Sequence, residues 1–338
     1  MNLVPTEEQR HLRDAARRFA ASPPGRDAWR RLAEDLGVTG LIVPERHGGA
    51  GAGAAELTVV LEELGAALVP VPFLSCSVLA ASLLARLGGT ADLLAGIASG
   101  DAVVVAASWW DPAAGPVTAD ADGRLHGRLP HVVDGHLADV LLVVSDSREI
   151  FAVDADTVSR RTLTTLDLTR GAARVELRGV VGRRLPCADP AAALDAAWNL
   201  AAVGLAAEQL GVARRCLEMT VRYARTRVQF GRPIGSFQAV KHALADLYVD
   251  CELAESAVRY AAWAADAAPG ELPRAAALAL TSMTAFHAAD QAVHLHGGIG
   301  FTWEHGLHLY YRRAKAAQHF LGDPAAHLDR LAAHLPHP

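Results

Sequence analysis

The stretch RTRVQFGRPIGSFQAVKHALADL, residues 225 to 247, separates two long alanine-rich segments whose composition favours helix. An ordinary turn between two helices needs only a glycine or a proline. This stretch adds Arg227, Arg232 and the aromatic Phe230. An arginine at a helix end, beside a turn with free backbone amides, suits a phosphate or pyrophosphate. The same arginines would also satisfy the last carbonyls of the preceding helix, so the stretch alone leaves both interpretations open.

Outward from this stretch, the hydrophobic periodicity divides the chain into three regions. Residues 1–100 have helical periodicity, and Thr6 followed by two glutamates predicts the first helix start. Residues 101–188 contain short β-branched runs bounded by turn residues. Residues 189–338 are helical again, with four long segments predicted over 191–227, 236–267, 271–297 and 304–318. Because helices and strands are segregated along the chain, we expect an α+β fold with these three regions as its domains.

The composition excludes several classes of protein. The 338 residues are 51% hydrophobic with a net charge of −5, which allows a large core and argues against a nucleic-acid-binding protein. The uncharged residues 66–85 are broken by Pro70 and Pro72, so we expect no membrane span. The charged amphipathic N-terminus has no signal-peptide pattern, which predicts a cytoplasmic protein.

The cysteines and histidines do not predict a metal site. The spacing of the four cysteines matches neither a zinc site nor a redox pair. The histidines are dense near the C-terminus, but residues two apart on a helix do not face each other. The dense histidines are His294, His296, His305 and His308.

Two further motifs follow the opening stretch. AVHLHGGIGFTWEH, residues 292 to 305, ends a helical segment with glycines that would allow close approach of a ligand or another backbone. LYYRRAKAAQHFLGDP, residues 309 to 324, is a basic helix end that meets a turn. Each motif taken singly is equally well explained as a helix end followed by a loop.

The order and spacing of these motifs resemble the acyl-CoA dehydrogenase family. R-x-x-F-G-x-x-I-x-x-F-Q, then H-G-G-x-G-F about sixty residues later, then R-x-A-K, resembles its C-terminal domain. WRRLAEDLGVTGLIVPERHGG, residues 29 to 49, and EELG, residues 62 to 65, resemble its first helical domain. DGRLHGRLPHVVDGHLADVLLVV and TRGAARVEL, residues 169 to 177, resemble its β domain. The resemblance is collinear over nearly the whole chain.

The resemblance implies a fold, a cofactor and a reaction. The fold would be a helical domain over 1–100, a β-barrel-like domain over 101–188 and a C-terminal four-helix bundle over 189–338. The cofactor would be FAD, and the reaction would be α,β-desaturation of an acyl-CoA or acyl-carrier-protein thioester. A carboxylate removes the α-proton in such enzymes, and the flavin accepts the β-hydride. In such enzymes each FAD lies between two subunits, and the resemblance implies the same here.

Matching positions to the family motifs assigns a set of residues to the dinucleotide tail of a FAD whose ring lies mainly in a neighbouring subunit. The set implied by the resemblance is Arg227, Gln229, Phe230, Gly231, Gln238, His294, Gly297 and Gly298.

The chain departs from the family where the proton is removed. The usual glutamate, six residues after the lysine of R-x-A-K, is Leu321 here, and the alternative base position falls on Ala201 and Ala202. Leucine and alanine cannot accept a proton. The nearby substitutes are Asp323, His319 and Glu208, of which Asp323 is the one we retain. Each has an ordinary structural explanation, such as the helix-cap role of an aspartate that precedes a proline.

A second departure concerns the segment that usually holds the flavin ring. The family pattern T-E-P-x-x-G-S-D is replaced by AASWWDPAAGPV, residues 106 to 117, in which Ser108 and the DPAAG turn remain. Trp109 and Trp110 would pack either on a ring or into the core.

Together the departures resemble the short subunit of bacterial heteromeric (α2β2) acyl-CoA dehydrogenases, including those that act on steroid side chains. In such complexes a longer family member supplies the base. Two alternatives stay open: a self-sufficient homo-oligomeric dehydrogenase with a displaced base, and a non-redox protein on the same fold. The acyl group of the substrate does not follow from the sequence.

Overall fold

The computed structural model describes residues 3–22, 27–107, 109–110, 115–267 and 273–333. Along them helices come first, strands second and helices again third. The predicted α+β class and order of elements are therefore confirmed.

In the part of the chain that the structure describes, the N-terminal region forms five helices besides a short 3₁₀ turn. The first begins as predicted at Thr6, whose side chain accepts from the backbone N–H of Gln9 while the Gln9 side chain caps Thr6 in return. Buried apolar side chains fill one continuous core between the helices. The helices are α1 (Glu7–Ala20), α2 (Ala28–Glu34), α3 (Ala54–Ala66), α4 (Phe73–Leu84) and α5 (Ala91–Ser99).

Helix α4 occupies most of the uncharged residues 66–85. Its first eight residues, Phe73–Ala80, are π-helical and all buried. Phe73–Leu84 is shorter than the roughly 20 residues that cross a bilayer. It is therefore a core helix.

The described residues of the middle region form two four-stranded sheets. In order across each sheet, the first contains β1 (Val104–Ala106), β4 (Val140–Val144), β5 (Ile150–Asp154) and β8 (Arg183–Leu185), and the second contains β2 (Thr118–Ala119), β3 (Arg124–Val133), β7 (Ala172–Val181) and β6 (Ser159–Leu163). Apolar residues of both sheets pack against each other, for example Leu141 and Phe151 with Leu125 and Val175. Strands β2, β6 and β8 lie outside the predicted runs because they are short or polar and largely exposed.

The core does not stop at the predicted domain boundaries. Val104, Leu142 and Leu185 of the first sheet belong to the same apolar cluster as the N-terminal helices. The boundaries at residues 100 and 188 therefore stay predictions.

Among the described residues, the C-terminal region contains the four predicted long helices and one more. The ends of the four lie within a few residues of the predicted ones, and the last helix is additional. The helices are α6 (Pro190–Thr226), α7 (Gln238–Ala267), α8 (Pro273–His296), α9 (Leu307–Ala317) and α10 (Pro324–Ala332).

Helix α6 is the centre of this region. Among the described residues it is the one helix long and apolar enough to cross a membrane. However, 56% of its most apolar 18-residue segment is buried inside the protein. It packs against α3, α7, α8 and α9, which identifies it as a core helix. Gly65 of α3 and Gly211 of α6 lie where the two helices cross, and the absence of side chains there lets the two backbones approach closely. A Cβ at Gly211 would overlap the carbonyl oxygen of Glu62.

Candidate functional site

The opening stretch folds into a small hairpin after α6. Arg227 ends the helix with extended backbone (φ −73°, ψ 119°), and its carbonyl accepts from the N–H of Ile234 at 2.8 Å. Strands β9 (Val228–Gln229) and β10 (Arg232–Pro233) pair antiparallel. Phe230 and Gly231 between them have φ of 52° and 77°. Two consecutive left-handed residues are what a two-residue hairpin turn of type I′ requires.

The hairpin presents its aromatic residue to solvent. Phe230 is 93% exposed, and its ring meets that of Phe237 edge-on with centroids 6.2 Å apart. The Arg232 guanidinium lies over the Phe237 ring, 4.2 Å from its centroid. The contact holds the second arginine of the motif beside the turn and away from the last carbonyls of α6.

The glycine motif forms a second exposed turn. A 3₁₀ turn, Gly297–Phe301, follows α8 directly, and Gly297 has a φ of 63°. No atom lies within 4 Å of the position a Cβ would take on Gly297 or Gly298, so a ligand can approach this backbone. Phe301 is 88% exposed and Trp303 is 69% exposed.

Tyr223 and His296 connect the two turns. The Tyr223 and His296 rings stack with centroids 4.2 Å apart, and the Tyr223 hydroxyl donates to the His296 carbonyl at 3.3 Å. The Tyr223 carbonyl also accepts from the N–H of Arg227 at 2.8 Å. Burial lowers the pKa of His296, and the nearby His305 lowers it further. A neutral, buried imidazole thus fastens the glycine turn to the end of α6.

The predicted FAD-tail residues share one property. All eight are solvent-exposed, so whatever they hold lies largely outside the body of this chain. They are Arg227, Gln229, Phe230, Gly231, Gln238, His294, Gly297 and Gly298. Their role in binding remains a prediction.

A separate cavity of about 700 Å³ contains the usual base position. It lies between the second β sheet and the C-terminal helices, and Leu321 is one of its walls. Leu321 is 1% exposed and belongs to the main apolar core. A carboxylate in this place would lose its hydration among apolar neighbours, so the site is built for a hydrocarbon side chain.

His319 and Asp323 stand on either side of Leu321 on the same cavity wall. The Nδ1 of His319 lies 2.5 Å from Oδ1 of Asp323, and both side chains are 59% exposed. Asp323 occupies the N-cap position of α10 but makes no side-chain capping bond. The pair is therefore an imidazole–carboxylate contact at the cavity mouth.

Glu208 is held elsewhere, in a buried cluster of charges. Nη1 of Arg313 donates to Oε1 of Glu208 at 2.8 Å, and Arg170 donates to the other oxygen. Burial alone would raise the pKa of Glu208. The positive charges of Arg170 and Arg313 lower it by more, so the pKa lies below the ordinary glutamate value. Glu208 does not line the cavity. It is a structural counter-charge and a poor proton acceptor.

The same cluster includes two aspartates. Oδ2 of Asp167 lies 2.5 Å from Nε of Arg313, with both side chains 3% exposed. Oδ2 of Asp134 accepts from the Ser75 hydroxyl at 2.7 Å. Burial raises the pKa of Asp134, which the charge of Arg170 offsets only in part. Sequence reasoning missed this cluster, because its members come from distant segments whose contacts no local pattern reveals.

The tryptophans of the altered flavin segment pack inside the chain. The Trp110 indole donates to the Phe320 carbonyl at 3.0 Å, and its ring meets that of Trp109 with centroids 4.7 Å apart. Trp110 is also a cavity wall. Ser108 and residues 111–114, the remainder of the family pattern, lie outside the described residues.

Comparison with known proteins identifies the family. Residues 6–101 match "Acyl-CoA dehydrogenase, N-terminal domain" and residues 192–335 match "Acyl-CoA dehydrogenase, C-terminal domain". The chain is 37% identical to acyl-CoA dehydrogenase IpdE2 of Mycobacterium tuberculosis, over 97% of this chain and 98% of that protein. The chain therefore belongs to the acyl-CoA dehydrogenase family, whose members oxidise a CH–CH bond with FAD as cofactor.

Solved structures agree with this assignment. The ChsE4–ChsE5 complex of Mycobacterium tuberculosis contains a chain that matches with a TM-score of 0.88 and 33% identity, over 100% of both chains. A glutaryl-CoA dehydrogenase of Mycobacterium smegmatis, solved in complex with FADH2, shares the fold with a TM-score of 0.85 and 22% identity, over 99% of this chain and 97% of that one. The predicted family, fold and cofactor are thereby confirmed.

Proposed function

We propose that this chain is the non-catalytic subunit of a heteromeric FAD-dependent acyl-CoA dehydrogenase. It completes the FAD site of a longer family member, and that partner supplies the base that removes the α-proton. The substrate is an acyl thioester of CoA or of an acyl-carrier protein. We expect the complex to be cytoplasmic.

The observation that carries the proposal is the buried Leu321. It occupies the base position, is 1% exposed and packs in the apolar core. A side-chain shift cannot bring Glu208 to that point, because Glu208 is paired with two buried arginines. Chemistry at this position would need a carboxylate that the chain does not place there.

The outward-facing turns support the same conclusion. Phe230 and Phe301 are about nine-tenths exposed, and each has a second exposed apolar side chain two residues away in the sequence, Val228 and Trp303. Clustered exposed apolar surface is typical of a binding site. Arg227 suits the pyrophosphate of FAD, and the open glycine backbone would allow its close approach. A solved relative, the ChsE4–ChsE5 pair, is itself a complex of two different chains. A heteromer in which these turns bind the partner's FAD accounts for the exposed aromatic side chains, for Arg227 with the open glycine backbone, and for the heteromeric relative.

The test compares the chain alone with the chain co-expressed with a longer acyl-CoA dehydrogenase subunit. We expect a colourless chain by itself and a yellow complex with one FAD per heterodimer, measured by flavin absorbance and by mass in solution. Full FAD occupancy and turnover by the isolated chain would contradict the proposal. Flavin absent from every candidate complex would instead favour the non-redox alternative.

A matched pair of variants examines the hairpin. Arg227→Met should weaken FAD retention by the complex at least about tenfold, because a charge-assisted hydrogen bond contributes roughly 1.5–3 kcal/mol. Arg225→Met changes an exposed arginine two residues earlier and should retain FAD like the unmodified complex. If both variants retain FAD equally well, Arg227 of the hairpin does not bind the cofactor.

One observation favours a second candidate function, a self-sufficient dehydrogenase with a displaced base. His319 and Asp323 are in contact on the wall of the cavity that contains Leu321, so they are placed to exchange a proton with a molecule inside it. In that case the isolated chain would turn over an acyl thioester, and Asp323→Asn would abolish turnover. In the heteromer, Asp323→Asn should leave kcat unchanged.

A further inference from the structure

We propose that the outer face of the second β sheet binds an acidic protein. This surface, the basic face, is formed by side chains of β3, β6 and β7 that point away from the core between the two sheets. It is separate from the cavity around Leu321, because none of its basic residues lines that cavity. The basic residues are Arg124, His126, Arg128, Arg161, Arg174 and Arg178.

Strand β7 runs through the middle of the basic face. Val175 and Leu177 of this strand are buried in the core between the two sheets. Because successive residues of a strand point to opposite sides of a sheet, Arg174, Glu176 and Arg178 point outward. The outward side of β7 therefore carries two arginines and one glutamate.

Pairing with the neighbouring strands brings more positive charge to the same side. Arg161 of β6 lies directly opposite Arg174. On the other side of β7, His126 of β3 lies opposite Arg178. Like charges that face each other across two strands are destabilising. The pair of Arg161 and Arg174 is therefore unfavourable for folding, and a bound anion would relieve the repulsion.

The acidic groups of the basic face do not neutralise its arginines. Nη2 of Arg178 donates to Oε2 of Glu176 at 2.5 Å, and this bond lowers the pKa of Glu176. The charges of Arg128 and Arg174 lower it further, so three arginines share one carboxylate. In the part of the chain that the structure describes, no hydrogen bond or ion pair joins Arg128, Arg161 or Arg174 to an acidic side chain, and Nε of Arg174 is buried without a partner.

The residue types favour a protein over a nucleic acid. A guanidinium matches the two oxygens of a carboxylate, and arginine is enriched at protein interfaces. Surfaces that bind single-stranded nucleic acids place aromatic side chains where bases stack, and β3, β6 and β7 contain no Phe, Tyr or Trp. The net charge of −5 of the whole chain would repel a polyanion that extends beyond the basic face. An acidic protein segment fits these conditions.

The occupant is a protein other than the longer subunit of the proposed heteromer. The turns assigned to the FAD of that subunit follow α6 and α8, and none of their residues belongs to β3, β6 or β7. The inference therefore does not rest on the proposed function, and it can be tested on the chain without FAD.

The test measures binding of a fluorescein-labelled oligo-L-glutamate to the full chain by fluorescence anisotropy. A probe of about ten residues matches the length of β3, which has 10 residues. We expect binding that weakens as salt is added, because ions screen exposed charges. An oligo-L-lysine of the same length should not bind, and an oligothymidylate should bind more weakly than the oligoglutamate. Absence of oligoglutamate binding, or equal or tighter binding of the oligothymidylate, would overturn the proposal.

A pair of double variants locates the binding surface. Arg161→Gln combined with Arg174→Gln should weaken oligoglutamate binding about tenfold, because one exposed ion pair contributes up to about fivefold in affinity. Arg10→Gln combined with Arg18→Gln removes the same charge from exposed positions of α1 and should bind like the unmodified chain. Equal weakening in both double variants would mean that only the net charge matters, and the assignment to this face would be wrong.

The stability of Arg161→Gln separates recognition from a structural role. The substitution removes the repulsion between Arg161 and Arg174, so we expect the denaturation midpoint to stay level or rise. A lower midpoint would show that Arg161 stabilises the sheet, which would contradict a residue kept for binding.

The co-expressed complex supplies the last comparison. We expect it to bind the oligoglutamate as the isolated chain does. Loss of binding in the complex would mean that the longer subunit covers the basic face, and a separate acidic partner would be excluded. If no complex assembles, the proposed function fails, while the titrations of the isolated chain still decide this inference.

Discussion

Phe230 is held in an unfavourable backbone conformation at an exposed position. A left-handed residue with a side chain costs about 1–2 kcal/mol relative to glycine. Phe230 has a φ of 52° and is 93% exposed, so packing of its ring stabilises this conformation very little. Backbone strain that packing does not offset is typical of residues at binding sites.

Replacing Phe230 by glycine should separate stability from binding. Phe230→Gly relieves the strained φ, and we expect the free energy of unfolding of the isolated chain to stay level or rise by up to about 1 kcal/mol. Retention of FAD by the complex should fall. Denaturant titration and flavin absorbance measure the two effects.

Arg148 supplies the control for this prediction. It is also exposed and left-handed, with a φ of 62°, and lies in a turn of the β region. Arg148→Gly should relieve strain in the same way and leave FAD retention unchanged. If both variants retain FAD equally, the aromatic ring has no part in binding.

The buried carboxyl of Asp134 should make the stability of the protein depend on pH. Burial raises the pKa of its carboxyl in the folded protein, so the charged form is disfavoured there. The unfolded chain ionises first, and the folded state therefore loses stability as pH rises above about 3.9, the ordinary aspartate value. Asp134→Asn keeps the acceptor for the Ser75 hydroxyl and has no charge to bury.

We expect Asp134→Asn to be more stable than the unmodified chain at neutral pH, with the difference vanishing as pH falls below the ordinary aspartate pKa. Thermal unfolding across the acid range measures it. Asp122→Asn, in an exposed turn, is the matched control and should show no such trend. A neutral-pH loss of stability in Asp134→Asn would mean that the charged form is the favoured one.

At the scale of elements, the α3–α6 crossing depends on glycine. Within an isolated helix, alanine is more favourable than glycine by up to about 1 kcal/mol. At Gly211 the added methyl would overlap backbone atoms of Glu62 and Ala66, which cannot move without separating the helices. At Gly204 it would meet the flexible ends of Leu61 and Leu74, at 2.9 Å and 3.1 Å.

Two alanine substitutions in α6 should therefore differ. We expect Gly211→Ala to lower the free energy of unfolding by about 1–3 kcal/mol or more, because overpacking forces backbone shifts. Gly204→Ala should cost less or nothing. Chemical denaturation of the two variants checks this, and equal effects would show that the crossing has room to adjust.

At the scale of the whole molecule, buried charges join the three regions. Ser75 of α4 contacts Asp134 at the end of β3, and Arg313 of α9 contacts Glu208 of α6 together with Asp167 and Thr169 of the β region. Each element would leave a charge or polar group unpaired if it moved away. The cluster therefore fixes the arrangement of the regions around the cavity.

Removing the central arginine should be strongly destabilising. Arg313→Met leaves Asp167 and Glu208 buried with part of their compensation gone, and we expect a loss of about 3–5 kcal/mol in the free energy of unfolding. Arg222→Met, which breaks an exposed pair with Glu218, should cost about 0–1 kcal/mol. A small effect at Arg313 would mean that water or neighbouring dipoles replace its charge.

Local pattern predicted much of the fold. The Thr6 cap, the strand runs and the four long helices carry their signals in neighbouring residues, so their positions were predicted to within a few residues. The polar strand β6 escaped prediction because it has few buried side chains, and α10 because it follows a turn in a short segment.

The family follows from the order of the R-x-x-F-G, G-G-x-G and R-x-A-K motifs, and the identity of residue 321 already excludes a proton acceptor there. These are properties of residue identity and spacing. Packing of the whole chain buries Leu321 in a cavity wall, pairs the ionised Glu208 with Arg170 and Arg313, and leaves Phe230 and Phe301 facing outward. Burial, ion pairing and exposure depend on which distant segments meet, and that is set by packing of the whole chain.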